Sequence, residues 1–103
     1  MHTVTEVWGR EWEEHSLPLF ELLQRAERGG VTDICQLLRH VRHCRTTLTE
    51  APTPRLQGLA VRTLDELWEA ARLTLYGDLG LADEHTAAAW GHAQKIHQLL
   101  SDC

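Results

Sequence analysis

The chain has 103 residues, and its 15 acidic and 10 basic side chains give a formal net charge of −5 at pH 7. This length predicts a single domain, and 43% hydrophobic with 24% charged residues is typical of a globular protein. No uncharged apolar run reaches the roughly 18 residues of a transmembrane helix. The negative charge argues against nucleic acid as the main partner, because such binding depends largely on neutralising phosphates.

The cysteines and the N-terminal segment predict a cytoplasmic location. Cys35, Cys44 and Cys103 are an odd number and too sparse for a disulfide scaffold. Residues 1–6 have neither the basic stretch nor the apolar core of a secretory signal. We therefore expect a reducing compartment and no attachment to a membrane.

The first predicted helix begins at Thr3, whose spacing to Glu6 fits a capping box. Apolar side chains recur at the helical period as far as Gly29-Gly30, which ends the helix. Pro18 lies inside this run, and because it lacks an amide donor it predicts a kinked helix. The stripe keeps its phase across the proline and consists of Val4, Trp8, Trp12, His15, Leu19, Leu22, Leu23 and Ala26.

The second predicted helix starts at Thr32 or Asp33. Arg45 falls on the same face as its apolar residues. A buried guanidinium needs a carboxylate, so we expect either an acidic partner for Arg45 or a helix that leaves the core at this turn. The apolar residues of this face are Ile34, Leu37, Leu38, Val41 and Leu48.

The third predicted helix has Thr53 as its N-cap and Pro54 at its first position, and it ends at Gly77. The fourth starts at Asp83. The connections are short and no segment alternates like a strand, so the sequence predicts an all-α fold, a small antiparallel four-helix bundle. The inward faces are Leu56, Leu59, Ala60, Leu64, Leu67, Trp68, Ala71 and Leu75, followed by Ala89, Trp90, Ala93, Ile96, His97 and Leu100.

Trp8 and Trp12, one turn apart on the first helix, are candidates for an interface. Four tryptophans are a large number for a core of this size, and we expect that not all of them are deeply buried. Glu11, Glu13 and Glu14 surround the pair. This aromatic and acidic face predicts a homodimer contact or a partner site, and the alternative is packing within the core.

Charge is unevenly divided between the first two helices. Residues 1–29 contain six glutamates against three arginines, whereas residues 34–49 contain three arginines and no acid. The side of the second helix that carries Arg39, Arg42 and Arg45 is therefore a candidate docking surface for an acidic partner or nucleic acid. The alternative is that the two helices pack side by side with complementary edges.

His40 and Cys44 are four residues apart and could supply half of a metal site for Zn or Cu. One helix cannot close a tetrahedral site, so two further ligands would have to come from another helix, with His92 and Cys103 of the last helix as candidates, or from a second subunit. The other interpretation is that His40 and Cys44 simply pack against a neighbouring helix and bind no metal. We expect this second interpretation, and therefore a protein without a cofactor.

The His40-Val-Arg-His-Cys44 run locally resembles the ligand helix of copper-sensing repressors. Those proteins close their copper site across a dimer interface with a cysteine from a separate helix. Here Cys35 shares the helix with Cys44, and the basic surface that such repressors use for DNA is missing. The resemblance is confined to this run.

No CxxC pair, glycine-rich phosphate loop or HExxH helix is present in the sequence, and no nucleophile and base have a spacing typical of catalysis. We therefore expect a non-enzymatic interaction module. It is predicted to self-associate through the first helix or through one edge of the fourth, or to dock a protein partner through the aromatic and acidic face of the first helix. Metal binding is the alternative function.

Overall fold

The computed structural model describes residues 3–28 and 30–101, which form four α-helices and no strand. The helices are α1 (Val4–Glu27), α2 (Val31–Thr47), α3 (Pro54–Tyr76) and α4 (Leu79–Ser101). Their contacts are those of an antiparallel four-helix bundle, which confirms the predicted fold class. In the described ranges, no helix combines the length and apolar character needed to cross a bilayer.

Three helix ends follow local signals in the sequence. The hydroxyl of Thr3 accepts a hydrogen bond from the amide of Glu6 at 3.1 Å, and the hydroxyl of Thr53 accepts one from the amide of Leu56 at 3.2 Å. Gly77 ends α3 with a φ of 84°, a left-handed conformation that favours glycine. Each signal acts within a single turn, so its prediction from sequence is confirmed.

Two helices start earlier than predicted. α2 begins at Val31, and Gly30 supplies the first helical acceptor, a carbonyl that accepts from the amide of Ile34. α4 begins at Leu79, because the side chain of Asp78 accepts a hydrogen bond from the amide of Leu81 at 3.3 Å. A cap at residue 78 adds a turn before Asp83 and shortens the connection after α3.

The first helix runs through Pro18 as one element, and the proline is exposed. A proline at the solvent face removes one helical hydrogen bond without displacing the buried face. This agrees with the apolar stripe, which keeps its phase on both sides of Pro18. The bend that the proline imposes stays a prediction.

The core consists of two clusters along a bundle with principal extents of 46 × 21 × 18 Å. The larger cluster draws on all four helices, with Leu19, Leu23, Leu37, Val41 and Leu67 almost completely buried. The smaller cluster lies where α1 begins and α4 ends, and contains Trp8, Trp12, Ala51, Leu56, Leu59, Ala60 and Ile96.

The four helices do not pack evenly. α3 and α4 make the most extensive contact, and α1 packs on α2 and α2 on α3. Of the helix pairs that touch, α1 and α4 make the least contact. α4 buries only three residues within its described length, Ala82, Ala89 and Ile96, spaced seven apart. This narrow stripe faces α3, so a groove is left open between α1 and α4.

Two ion pairs join helices at the surface of the bundle. Arg45 of α2 pairs with Asp65 of α3, and both side chains are about half-exposed, so α2 has left the core at this turn and Arg45 is not the buried guanidinium that its apolar face predicted. Glu66 of α3 contacts the Nδ1 atom of His85 on α4. These pairs link α3 to α2 on one side and to α4 on the other, and exposed pairs of this kind contribute little to stability.

Candidate functional site

The open space between α1 and α4, here called the α1–α4 groove, has a volume of about 540 Å³. Its wall on α1 has a helical spacing of three and four residues, as expected for one face of a helix. The wall on α4 spans nearly three turns. The lining residues are Trp12, Glu13, Ser16, Leu17 and Phe20 from α1, and Trp90, Ala93, Gln94, His97 and Leu100 from α4.

Phe20 and Trp90 form an aromatic pair at one end of the groove. Their ring centroids are 4.2 Å apart with an angle of 38° between the planes. Phe20 is buried, whereas Trp90 is 45% exposed. Trp90 therefore covers Phe20 with one part of its indole ring and presents the rest to solvent.

The depth of the groove comes from small side chains on both walls. Ser16 is buried on α1, and Ala93 is half-buried opposite it on α4. Larger residues at these positions would fill the space between the helices. Leu17 lies at the outer edge and is 62% exposed, so an apolar surface extends from the floor of the groove to solvent.

The rim of the groove is acidic on the α1 side. Glu13 lines the groove, and Glu14 and Glu21 lie one turn before and one turn after Leu17. None of these three glutamates makes an ion pair within the described part of the chain. The α4 side contributes Gln94 and His97, so negative charge is concentrated along one edge.

Trp8 and Trp12, predicted from the sequence as interface anchors, lie inside the bundle. They are 3% and 4% exposed, and their rings stack with centroids 5.8 Å apart and an angle of 10° between the planes. Both side chains therefore belong to the core, which was the alternative expectation for this pair. Trp12 contributes to the floor of the groove, but with 3% and 4% of their surface exposed neither Trp8 nor Trp12 can be the main anchor for a partner.

Glu11, the third residue of the predicted interface, binds a segment of its own chain. Its carboxylate accepts hydrogen bonds from the amide of Thr49 at 2.9 Å and from the hydroxyl of Thr49 at 2.7 Å. These bonds favour the charged form and hold the pKa of Glu11 below its usual value. The side chain therefore ties the α2–α3 connection to α1.

Arg39 and Arg42 are exposed on the solvent face of α2. Neither makes an ion pair within the described residues, although Arg42 borders a small cleft beside Arg45 and Trp68. α2 packs on α1 and α3, so these arginines do not line the α1–α4 groove. They form a separate cationic face of the bundle.

His40 and Cys44, the predicted half of a metal site, point in different directions. His40 is exposed, whereas Cys44 is buried and its thiol donates to the carbonyl of His15 at 3.6 Å. A spacing of four residues rotates the second side chain by about 40° around the helix, which turns Cys44 into the core. Burial also raises the pKa of the Cys44 thiol, which disfavours the thiolate that a metal requires.

The other two predicted ligands do not complete the site. His92 is half-buried on α4, and Cys103 lies outside the described residues. Within residues 3–28 and 30–101, no three histidine, cysteine, aspartate or glutamate side chains are arranged to hold a metal ion. The described geometry thus gives the metal reading no support.

Sequence reasoning missed the exposure of α4. Trp90 and His97 were expected to face inward, but Trp90 is half-exposed and His97 is exposed at the groove. The signal was present in the seven-residue spacing of Ala82, Ala89 and Ile96, which marks a contact stripe too narrow for two neighbouring helices.

No protein-family model, no curated protein and no solved structure matches this chain. The functional conclusion therefore follows from the residues themselves.

Proposed function

We propose that this protein is a non-enzymatic interaction module that receives a basic amphipathic helix of a partner protein in the α1–α4 groove. The observation that carries the proposal is the half-exposed indole of Trp90, whose ring lies tilted against buried Phe20 in an apolar groove. Aromatic side chains beside a pocket are the usual anchors of protein interfaces.

The apolar surface of the groove favours a helical occupant. Each Å² of apolar surface removed from water contributes about 25 cal/mol, and Leu17 and Trp90 both keep a large exposed fraction. A groove between two helices accepts a third helix that inserts apolar side chains from successive turns. The partner is therefore expected to carry apolar residues at positions i, i+3, i+4 and i+7.

The charge of the rim favours a basic occupant. Glu13, Glu14 and Glu21 lie along the α1 edge without cationic partners in the described residues. Lysine or arginine flanking one side of the partner's apolar stripe would meet these carboxylates. Such pairs at a rim mainly determine orientation and association rate.

A second copy of this chain fits the groove less well. α2 has the complementary positive charge, but Val31 is the only large apolar residue exposed on it. Its solvent face instead carries Arg39, His40, Arg42 and His43. A helix with that face cannot fill an apolar groove, so the proposal commits to a partner other than the chain itself.

The test uses a synthetic 18-residue peptide with leucines at the four anchor positions and lysines beside them. The indole NH signals of the four tryptophans in an NMR spectrum identify the site of binding. We expect saturable binding that shifts the Trp90 signal more than those of Trp8 and Trp68. A peptide of the same composition in scrambled order controls for non-specific attraction between opposite charges.

A matched pair of variants isolates the groove. Leu17 and Leu79 are both 62% exposed, but Leu79 lies at the first residue of α4, outside the groove. Leu17→Gln is expected to weaken binding about tenfold, the effect of one unburied leucine side chain. Leu79→Gln should leave the affinity unchanged.

Three results would contradict the proposal. They are equal binding of the scrambled peptide, equal loss of affinity in both leucine variants, and unmoved Trp90 signals at saturation. Analytical ultracentrifugation of the protein alone tests whether a second copy of the chain occupies the groove instead. A dimer that Leu17→Gln dissociates would show that a second copy fills the groove.

A further inference from the structure

A second cleft, on the opposite side of α4 from the groove, is lined by cations. It lies between the first turns of α3 and the last third of α4 and has a volume of about 280 Å³. We call it the α3–α4 cleft. Its lining residues are Pro54, Arg55, Gly58, Leu59, Arg62 and Lys95.

The basic residues of this cleft come from two helices. Arg55 and Arg62 are seven residues apart on α3, which places them on one face about 10 Å from each other. Lys95, the single lysine of the chain, faces them from α4. Three cations thus surround one space in a protein whose net charge is −5.

No carboxylate of the described residues neutralises these cations. The cleft has no acidic lining residue, and none of the three side chains makes an ion pair within residues 3–28 and 30–101. By contrast, two other arginines near α3 have acidic partners. Arg45 of α2 pairs with Asp65 of α3, and Arg72 of α3 pairs with Glu69 of the same helix. Like charges gathered without counter-charges repel one another, and a bound anion removes that repulsion.

The floor of the cleft is open because residue 58 is glycine. A Cβ atom built on Gly58 would have no side chain and no part of another element within 4 Å, apart from its chain neighbours, so the space directly over this residue is open. Buried Leu59 closes the base. A group small enough to sit over Gly58 would lie within reach of side chains from both walls.

The donors of the cleft suit an oxyanion with more than one charge. Guanidinium groups bind phosphate oxygens in pairs, and an ammonium group adds a compact point charge. The first turn of α3 contributes the positive end of the helix dipole. We propose that the α3–α4 cleft is a binding site for a small molecule that bears a phosphate or pyrophosphate group.

Inorganic pyrophosphate is the probe for this site. Calorimetric titration at constant ionic strength is expected to show saturable binding with one site per chain. Lys95→Gln and Arg62→Gln should each weaken it at least tenfold, since each removes a charged contact. Arg39→Gln is the matched control, because it removes the same charge from an exposed and unpaired arginine on α2.

A second pair of variants changes the shape of the cleft and leaves the charge unaltered. Gly58→Leu fills the floor, and should reduce pyrophosphate binding at least tenfold while the thermal midpoint does not fall. Gly80→Leu is its control, since Gly80 is also helical with open space around it but lies at the start of α4. These variants leave the α1–α4 groove untouched, so the site and the proposed partner docking are tested independently.

A phosphate group can also belong to a lipid headgroup, and cosedimentation with phosphatidylcholine vesicles containing phosphatidic acid tests that source. Binding to vesicles that Lys95→Gln and Gly58→Leu abolish would support the site and place its ligand in a membrane surface. The proposal is overturned by non-saturable binding of both probes. It is also overturned if Arg39→Gln weakens binding as much as Lys95→Gln, or if Gly58→Leu has no effect.

Discussion

The indole nitrogen of Trp8 donates a hydrogen bond to the carbonyl oxygen of Thr49 at 3.0 Å, joining two residues 41 positions apart. Glu11, one turn further along α1, accepts from the amide and hydroxyl of the same threonine. The amide of Ala51 donates to the side chain of Gln57 at 2.8 Å. The connection between α2 and α3 is therefore bound to α1 on one side and to α3 on the other.

The Trp8–Thr49 hydrogen bond predicts a specific loss in Trp8→Phe. The substitution keeps an aromatic ring in the core but removes the indole donor, and we expect the free energy of unfolding to fall by about 1 kcal/mol beyond the effect of the smaller ring. Trp68→Phe is the control, since the Trp68 indole donates no hydrogen bond within the described residues. Urea denaturation of both variants measures the difference, and equal losses would contradict the prediction.

Glu11 predicts a pH-dependent contribution to stability. Because the hydrogen bonds from Thr49 lower its pKa in the folded protein, the contribution is present above the unfolded pKa of about 4.3. It disappears as the pH falls through the lower folded value, where both states are protonated. Glu11→Gln should cost about 1 kcal/mol at pH 7, and this difference from wild type should vanish in acid.

The comparison for Glu11 is Glu13→Gln, which removes an exposed carboxylate that has no hydrogen bond within the described residues. Its difference from wild type should be small and flat from pH 7 to acid. Urea titrations at several pH values measure both variants. If Glu11→Gln and wild type still differ in free energy of unfolding by the same amount below the folded pKa of Glu11, the hydrogen bonds from Thr49 do not act on the charge of the carboxylate.

Cys35 and Cys44 should differ in reactivity. Cys35 is exposed, whereas Cys44 is buried with a raised pKa, and alkylation requires an accessible thiolate. We expect iodoacetamide at pH 8 to modify Cys35 at least tenfold faster than Cys44 in the folded protein, as measured by mass spectrometry of the peptides. In denaturant the two rates should converge. Equal rates in the folded state would mean that Cys44 is accessible.

Gly77 and Gly80 should respond in opposite ways to alanine. Gly77 has a φ of 84°, so Gly77→Ala forces a side chain into the left-handed region at a cost of about 1 kcal/mol. Gly80 lies in the first turn of α4 with open space around it, so Gly80→Ala should stabilise the protein, by less than the roughly 1 kcal/mol expected in a helix interior. Thermal denaturation tests both, and a stabilised Gly77→Ala would exclude the left-handed cap.

Helix ends could be predicted where the signal lies within one turn. Thr3, Thr53 and Gly77 act on their own neighbours, and the structure places helix ends at all three. Asp78 was missed because the sequence offers Asp83 as an equally good cap, and nothing local decides between them. The sequence left two outcomes open for Arg45, a carboxylate partner or a helix that leaves the core, and the exposed side chain that pairs with Asp65 has features of both; the identity of Asp65 required the arrangement of α2 on α3.

The sequence by itself determined the four helices and the apolar face of each one, because helical period and capping are local properties of the chain. Only the tertiary structure decided which of those faces are covered. Trp8 and Trp90 both lie on apolar faces. Trp8 packs against residues of α3 and against the connection between α2 and α3. Trp90 faces a groove, because α4 makes far more contact with α3 than with α1. Periodicity gives the direction in which a side chain points from its helix. It does not give the distance to the next helix, and that distance makes one tryptophan part of the core and the other part of a candidate binding site.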